Sequence, residues 1–495
     1  MRKSIRLVVA ISAALFAASA FAAPKDSVTI GMILEPPGLD PTTGAAAAIG
    51  EITHYNIYEG LTKINSDFSV TPLLAESWTF SPDLKILTFK LKSGVKFQDG
   101  APFASNDVKF SFERAAAANS TNKDKVFFAS IASIDASDPM TVSLNFKQPS
   151  FAALFHLGMN TAVIVDEKSA AADATNPIGT GPYKLANWNK GSSVTLEKWD
   201  GYRDPGKIAI AKATFKIIND PAAAVAALLA GDVDVFPRFG NNEAVAQFQN
   251  DPRFTVTIGG TEGKTLIAIN NKKKPLDDLR VRQAIAYAVD RKAIIDGAMN
   301  GYGVPIGSHL TPNDPGYIDL TGMYPHDPEK SKQLLKEAGV TTPLSLSLIL
   351  PPVANYARQG GEIVAAELAE VGIQAKIENV EWAQWLSGVL AAKNYDLTII
   401  SHVEPLDIAI YANPSYYYQY DNKDFQDVIA KLNSAPDLET YKKYMGEAQK
   451  KLAADCVNVF LFQLQQITVA NANLQGLWKD SPIFVNDLSA MSWKQ

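Results

Sequence analysis

The chain has 495 residues, 47% of them hydrophobic and 20% charged, with a net charge of −6. This is a globular composition with apolar material for two or more domains, and its acidic balance argues against nucleic acid or an anionic membrane surface as partner. The single Cys456 excludes an internal disulfide, so packing must hold the fold together.

In chain order, Arg2, Lys3 and Arg6 precede an apolar run over residues 7–20 and then Ala20-Phe21-Ala22. This is the grammar of an export signal, with cleavage expected after Ala22. No cysteine lies at that junction, so the mature chain is expected free of a lipid anchor in the periplasm. "VTIGMIL" (28–34) predicts a buried strand ended by "EPPGLDP". "ILTFKLKSGVKF" (86–97) alternates in period two around "KSG", which predicts a hairpin, and "SNDVKFSFERAAAA" (105–118) predicts a helix capped by Ser105, Asn106 or Asp107. In "NDPAAAVAALLAGDVDVF" (219–236), Asp220 suits a cap, Pro221 the first helical position and Gly231 a left-handed end before a strand. "HDPEKSKQLLKEAGV" (326–340) repeats that pattern, and residues 277–295 put Val281, Ile285, Ala288 and Val289 on one helical face. Such alternation predicts α/β lobes with helices covering mostly parallel sheets.

The run from Leu397 to Ile400 reads as a buried strand leading straight into His402, Glu404 and Asp407. An unpartnered buried carboxylate costs several kcal/mol, so these acids should meet a partner or a ligand. Catalytic frames do not assemble. "GGTEGKT" (259–265) is one residue short of a phosphate loop and leads into a strand-like run, so it is expected to be a turn between two strands. Ser120 and Lys123 match S-x-x-K without the companion motifs of that enzyme class, and the five histidines show no metal-ligand spacing. Trp382 and the Tyr416–Tyr418 run are expected in the core, although Trp385 and Tyr417 are also candidates to stack on a ligand. Arg358, near a helix start, is either a solvated charge or a bidentate grip on a ligand carboxylate.

The ordered landmarks resemble the large extracytoplasmic solute-binding proteins of ABC importers, family 5, the dipeptide, oligopeptide and nickel group. The resemblance rests on "PLLAESWTFSPDLKILTFKLKSGVKFQDGAPFASNDVKFSFER" (72–114), "NPIGTGPYKLANW" (176–188) and "INNKKKPLDDLRVRQAIAYAVDRKAII" (269–295), and spans nearly the whole chain. It implies a two-lobed periplasmic binding protein fold of α/β class with mixed sheets, an extra subdomain in lobe I and two crossover hinge segments. The implied division is 1–22 signal peptide, 23–265 lobe I with the subdomain at about 60–175, 266–469 lobe II, and 470–495 returning to lobe I. It also implies a monomer, not an enzyme, that hands a small-molecule or peptide ligand to a membrane permease and its ATPase.

In similar proteins the lobe II strand is followed by a tryptophan that stacks on ligand and by an acid that takes a peptide's amino group. Here the tryptophan position holds His402, Glu404 falls near the amine-binding acid, and Asp407 matches a final aspartate. Arg358 lies where dipeptide binders place a carboxylate-binding arginine, and Thr43, Gly44 and Ala45 correspond to another pocket wall. Asp407 is equally suited to capping a helix near Ile408, and Glu404 to pairing with a lysine across the cleft. The expected ligand bears an amine and a carboxylate, as a short peptide or an opine does. Alternatives are a polyhydroxylated ligand, a metal chelate and, from other classes, a periplasmic hydrolase or a chaperone-like binder of unfolded chains.

Overall fold

The computed structural model describes residues 25–494 except 45, 151, 353 and 354. The expected export signal lies outside the described residues. No helix among them is long and apolar enough to cross a membrane.

The first lobe is built on Ser27–Met32, which pairs in parallel with Lys212–Ile217 and on its other edge with Val235–Phe236. Antiparallel strands Ser193–Lys198 and Tyr183–Asn189 extend the sheet. Val28, Ile30, Val194, Leu196 and Phe215 form its core. The first strand ends at Met32, and Ile33 and Leu34 emerge from it 37% and 67% exposed. The expected run to residue 34 is therefore too long, and the two apolar side chains become cleft wall.

A subdomain inserted in this lobe has its own four-stranded antiparallel sheet, from Ala75–Phe80, Ile86–Leu91, Ile131–Asp138 and Thr141–Phe146. Helix Ser105–Ala116 covers it, packing Val108 and Phe112 onto Phe89, Val142 and Leu144. Ile86–Leu91 makes its hairpin with the preceding Ala75–Phe80, not across "KSG". The alternation correctly marked a half-buried strand, but pairing depends on a partner sequence that periodicity does not select. The helix N-cap is Ala104, whose backbone N–H donates to Asp107 Oδ2 at 2.7 Å.

Two long strands, Phe254–Ile269 and Asn458–Asn471, join the lobes. They pair antiparallel along most of their length and fuse both lobes into one eleven-stranded sheet. Their outer ends, Val256, Ile258, Ile467 and Val469, pack in lobe I, whereas Ile267, Ile269, Val459 and Leu461 lie in the core of the second lobe. The register slips between Gly260 and Lys264, in the middle of the crossing. "GGTEGKT" is thus part of one continuous strand and not a turn. Its glycines serve close approach: a Cβ on Gly259 would lie 1.7 Å from the Lys479 carbonyl oxygen, and one on Gly260 would lie 2.3 Å from Asn313 Oδ1.

In the second lobe, Leu344–Leu350 runs parallel to Ile373–Asn379 and Leu397–His402. One face is covered by Leu279–Ala288, Arg291–Met299, Pro328–Glu337 and Asn355–Glu370, the other by Lys423–Asn433 and Leu438–Ala454. The segment 277–295 forms two helices, because Asp290 takes an extended conformation and its side chain accepts from Lys292 N and Ala293 N. Val281, Ile285, Ala288 and Val289 are all buried. Helices Pro221–Ala230 and Pro328–Glu337 follow their sequence grammar closely: Asp220 accepts from Ala223 N and Asp327 from Lys330 N, while Gly231 and Gly339 have φ of 76° and 69°.

Candidate functional site

The crossover strands floor a cleft between the lobes, and two cavities open on it. The larger, about 380 Å³, is walled by Ile33, Arg238 and Phe484 from one side and by Asn355 and Val403 from the other. The smaller, about 240 Å³, lies in lobe I against Leu34, Glu51, Phe236 and Asn486. Ile33, Arg238, Gln466, Ser481 and Phe484 belong to both walls. Together they fall within the roughly 300–1,000 Å³ typical of small-molecule sites. Arg238 donates from Nη1 to Glu51 Oε1, and its guanidinium carbon lies 4.7 Å from the centre of the Phe484 ring.

Beneath the cleft, on the lobe II side, is a buried polar network. Leu397–His402 runs antiparallel to the first crossover strand with His402 directly opposite Lys264. Leu406 then adopts φ 55°, a left-handed conformation that costs a non-glycine residue about 1 kcal/mol or more, and turns Asp407 inward. Asp407 Oδ1 accepts from Lys264 Nζ at 3.0 Å and from His309 Nε2 at 3.0 Å. Around this imidazole, Asn458 Nδ2 donates to Tyr411 Oη at 2.9 Å, and Tyr411 Oη lies 3.0 Å from His309 Nδ1. Lys264 also donates to the Glu404 carbonyl at 2.6 Å.

Burial opposes the charge on Asp407, but His309 and Lys264 outweigh it and hold the carboxyl well below the usual carboxylate range. Burial likewise opposes the ammonium of Lys264, yet Asp407 and Glu262 keep its pKa above the ordinary lysine value. His402 is pushed down to about 3, first by burial and then by His309, so its ring is neutral. Its Nε2 lies 2.7 Å from Tyr418 Oη and 2.9 Å from Tyr417 Oη, and Nδ1 faces Asp407 Oδ2 at 4.0 Å. Next to Lys264, burial and then the charge of Asp314 push the Glu262 carboxyl well above the usual carboxylate range.

The sequence candidates divide accordingly. His402 and Asp407 do come together, as parts of this internal network, and Asp407 makes no helix cap. The lysine expected to pair with Glu404 bonds its carbonyl oxygen and pairs with Asp407 instead, because only the aspartate is carried inside. Glu404 keeps an exposed carboxylate that accepts from Val403 N at 3.2 Å. Arg358 is exposed on helix Asn355–Glu370 and makes no ion pair among the described residues. Trp385 and Tyr417 are 3% and 1% exposed, so the structure places them behind the site and not in its wall. Trp385 Nε1 donates to Thr398 Oγ1 at 3.0 Å. Trp382, expected in the core, is 41% exposed and stacks on Trp385 at 5.1 Å, lying one helical step further from the sheet. Thr43 faces the subdomain, where its carbonyl accepts from Thr121 Oγ1 at 2.8 Å, and Gly44 packs against Ile49. The wall near this loop comes from Ala47 and Ala48, and Ala45 lies outside the described residues.

Sequence reasoning missed Lys264, His309, Glu51 and Arg238. For Lys264 a signal existed, a single cation leading into the apolar "TLIAI" of a buried strand. His402, Glu404 and Asp407 bring three donor atoms within 4.8 Å of one another, a geometry with room for a metal ion. The Lys264 ammonium already supplies positive charge to Asp407 at 3.0 Å, so a metal there would have to displace it.

Residues 69–427 match the model of bacterial extracellular solute-binding proteins, family 5. The glutathione-binding protein GsiB of Escherichia coli O1:K1 is 30% identical over 392 residues, 78% of this chain and 75% of that protein. The solved structure of the binding protein AgaA in complex with agropinic acid, from A. tumefaciens R10, is 27% identical, with a TM-score of 0.80 over 95% of this chain and 99% of that one. The ABC transporter-associated periplasmic binding protein DppA from Helicobacter pylori, in complex with the peptide STSA, shares the fold at 22% identity, with a TM-score of 0.80 over 95% of this chain and 99% of that one. The chain belongs to family 5 of the bacterial extracellular solute-binding proteins, a family whose members bind solutes and act with ABC importers.

Proposed function

We propose that this protein captures a small solute bearing both an amine and a carboxylate, a short peptide or an amino-acid conjugate such as an opine, in the periplasm and delivers it to an ABC permease and its ATPase. The observation that carries this reading is the cavity of about 380 Å³ walled by both lobes and floored by the strands that join them. A ligand seated there touches both lobes only when they close on it, so binding favours the closed form. Arg238 and Glu51 in the cavity walls offer both signs of charge, and Arg358 and Glu404 are exposed on lobe II outside those walls. Glutathione, which one relative binds, is a short peptide that bears both an amine and carboxylates, which supports the same solute class.

Native mass spectrometry of freshly purified protein, followed by a thermal-shift panel of short peptides, glutathione and opines, tests the proposal. A cognate solute at about a hundredfold over its Kd should add about 2.7 kcal/mol of apparent stability and be recovered chemically unchanged. Absence of stabilisation across the panel, or appearance of hydrolysis products, would overturn it.

A further inference from the structure

Arg238 is the only cation in the wall of either cavity among the described residues, and it belongs to both walls. The acids in those walls are Glu51, with its side chain 12% exposed, and Glu262, which is 3% exposed and lies 3.9 Å from the Lys264 ammonium. Arg358, the sequence candidate for holding a carboxylate, lines neither cavity. Arg238 uses one N–H on Glu51, and its remaining donors have no partner among the described residues. The Phe484 ring restricts the guanidinium plane and adds a cation–π contact without consuming a donor. Glu51 sits on helix Ala47–Thr53, packed against the lobe I core, and Arg238 in the turn after strand Val235–Phe236, so the pair belongs to the lobe opposite Glu404.

We infer that Arg238 and Glu51 form a clamp for a zwitterionic α-amino-acid head, with the head's carboxylate on Arg238 and its ammonium on Glu51. This rests on the reading of the cleft as a solute-binding site. In the free protein each charge neutralises the other; in the complex each exchanges its internal partner for a ligand group of the same sign, so no charge is left uncompensated. The exchange suits a zwitterion and penalises a ligand with only one of the two groups, because the other half of the pair would lose its partner. The head is thereby assigned to lobe I, and Glu404 and Arg358 are left to meet the remote end of the solute on closure.

Calorimetry on the full-length mature protein tests the clamp, with glutathione, L-alanyl-L-alanine and free L-glutamine as zwitterionic probes. For the tightest of them, the N-acetyl derivative and the derivative amidated at the carboxylate nearest the amine are compared. R238M and E51Q are each expected to weaken the parent probe by about tenfold or more, while ligand-free melting temperatures and circular dichroism show that both variants fold. The N-acetyl probe should lose about tenfold on wild type and R238M but little more on E51Q, and the amidated probe should lose little more on R238M. If wild type binds a zwitterionic probe and R238M and E51Q bind it equally well, or if the blocked probes bind wild type undiminished, the clamp is wrong while the binding-site reading stands. If wild type binds none of the zwitterions up to millimolar concentration, the clamp and the amine-bearing solute class fall together.

Discussion

Lys264 has no solvent exposure, and its ammonium lies 3.0 Å from Asp407 and 3.9 Å from Glu262 and donates to the Glu404 carbonyl. Lys264→Met would leave Asp407 buried with His309 as its remaining hydrogen-bonding neighbour in the network, and breaking a buried pair from one side costs about 3–5 kcal/mol. Urea unfolding should show that loss, and K264M combined with D407N should recover a large part of it, since removing both charges removes the desolvation penalty. A network whose loss costs nothing would show as a K264M transition coincident with wild type. The residues His402, Glu404 and Asp407 were legible in "SHVEPLD" as polar groups leaving a buried strand, but their fates were not. Whether a carboxylate turns inward depends on the left-handed Leu406 and on His309, about a hundred residues earlier, which no local pattern announces.

The crossover strands are the elements on which capture depends. The glycines of "GGTEGKT" looked like turn residues because glycine punctuates turns; here they lie mid-strand, where the returning Lys479–Asp480 backbone crowds Gly259 and the side chains of Asn313 and Leu464 crowd Gly260 and Gly263. Gly259→Ala would force a Cβ into the Lys479 carbonyl, displacing either the strand or the C-terminal return. An expected loss of about 2 kcal/mol or more, and weaker ligand binding through shifted Ser481 and Phe484, would be read from thermal melts and calorimetry. An unchanged melting temperature would mean that the return segment yields freely. Helices with a strong local grammar, Pro221–Ala230 and Pro328–Glu337, were legible almost to the residue because cap, first proline and terminal glycine act within one helical turn. The break at Asp290 inside a continuous apolar stripe was missed because the stripe persists through both helices.

At the scale of the whole molecule, opposed buried groups set the pH range of stability. Burial lowers His54 to about 3, and His402 is lowered to about 3 as well, so their contributions are complete above the unfolded value of 6.5 and are lost as pH falls toward 3. Asp173, deep in lobe I, is raised to about 7 by burial and by Asp40, so its contribution is complete below the unfolded value of 3.8 and is lost as pH rises through 7. Asp173→Asn should gain stability relative to wild type on going from pH 5 to pH 8, by on the order of 2–3 kcal/mol, measured by urea unfolding at both pH values. A difference that does not change with pH would mean that Asp173 is ionised throughout. The sequence by itself determined the family, the α/β class and most helix boundaries, since apolar period, caps and turn residues are local and the block motifs are long. Tertiary structure decided which charges are spent inside the protein and which face the cleft. Asp407 and His402 went inward, whereas Arg238 and Glu51, 187 positions apart and unremarked in the sequence, were brought together at the cavity wall. The reason is physical: a charge is neutralised by its neighbours in space, and in this fold those neighbours arrive from the other lobe's strands and from chain segments hundreds of residues away.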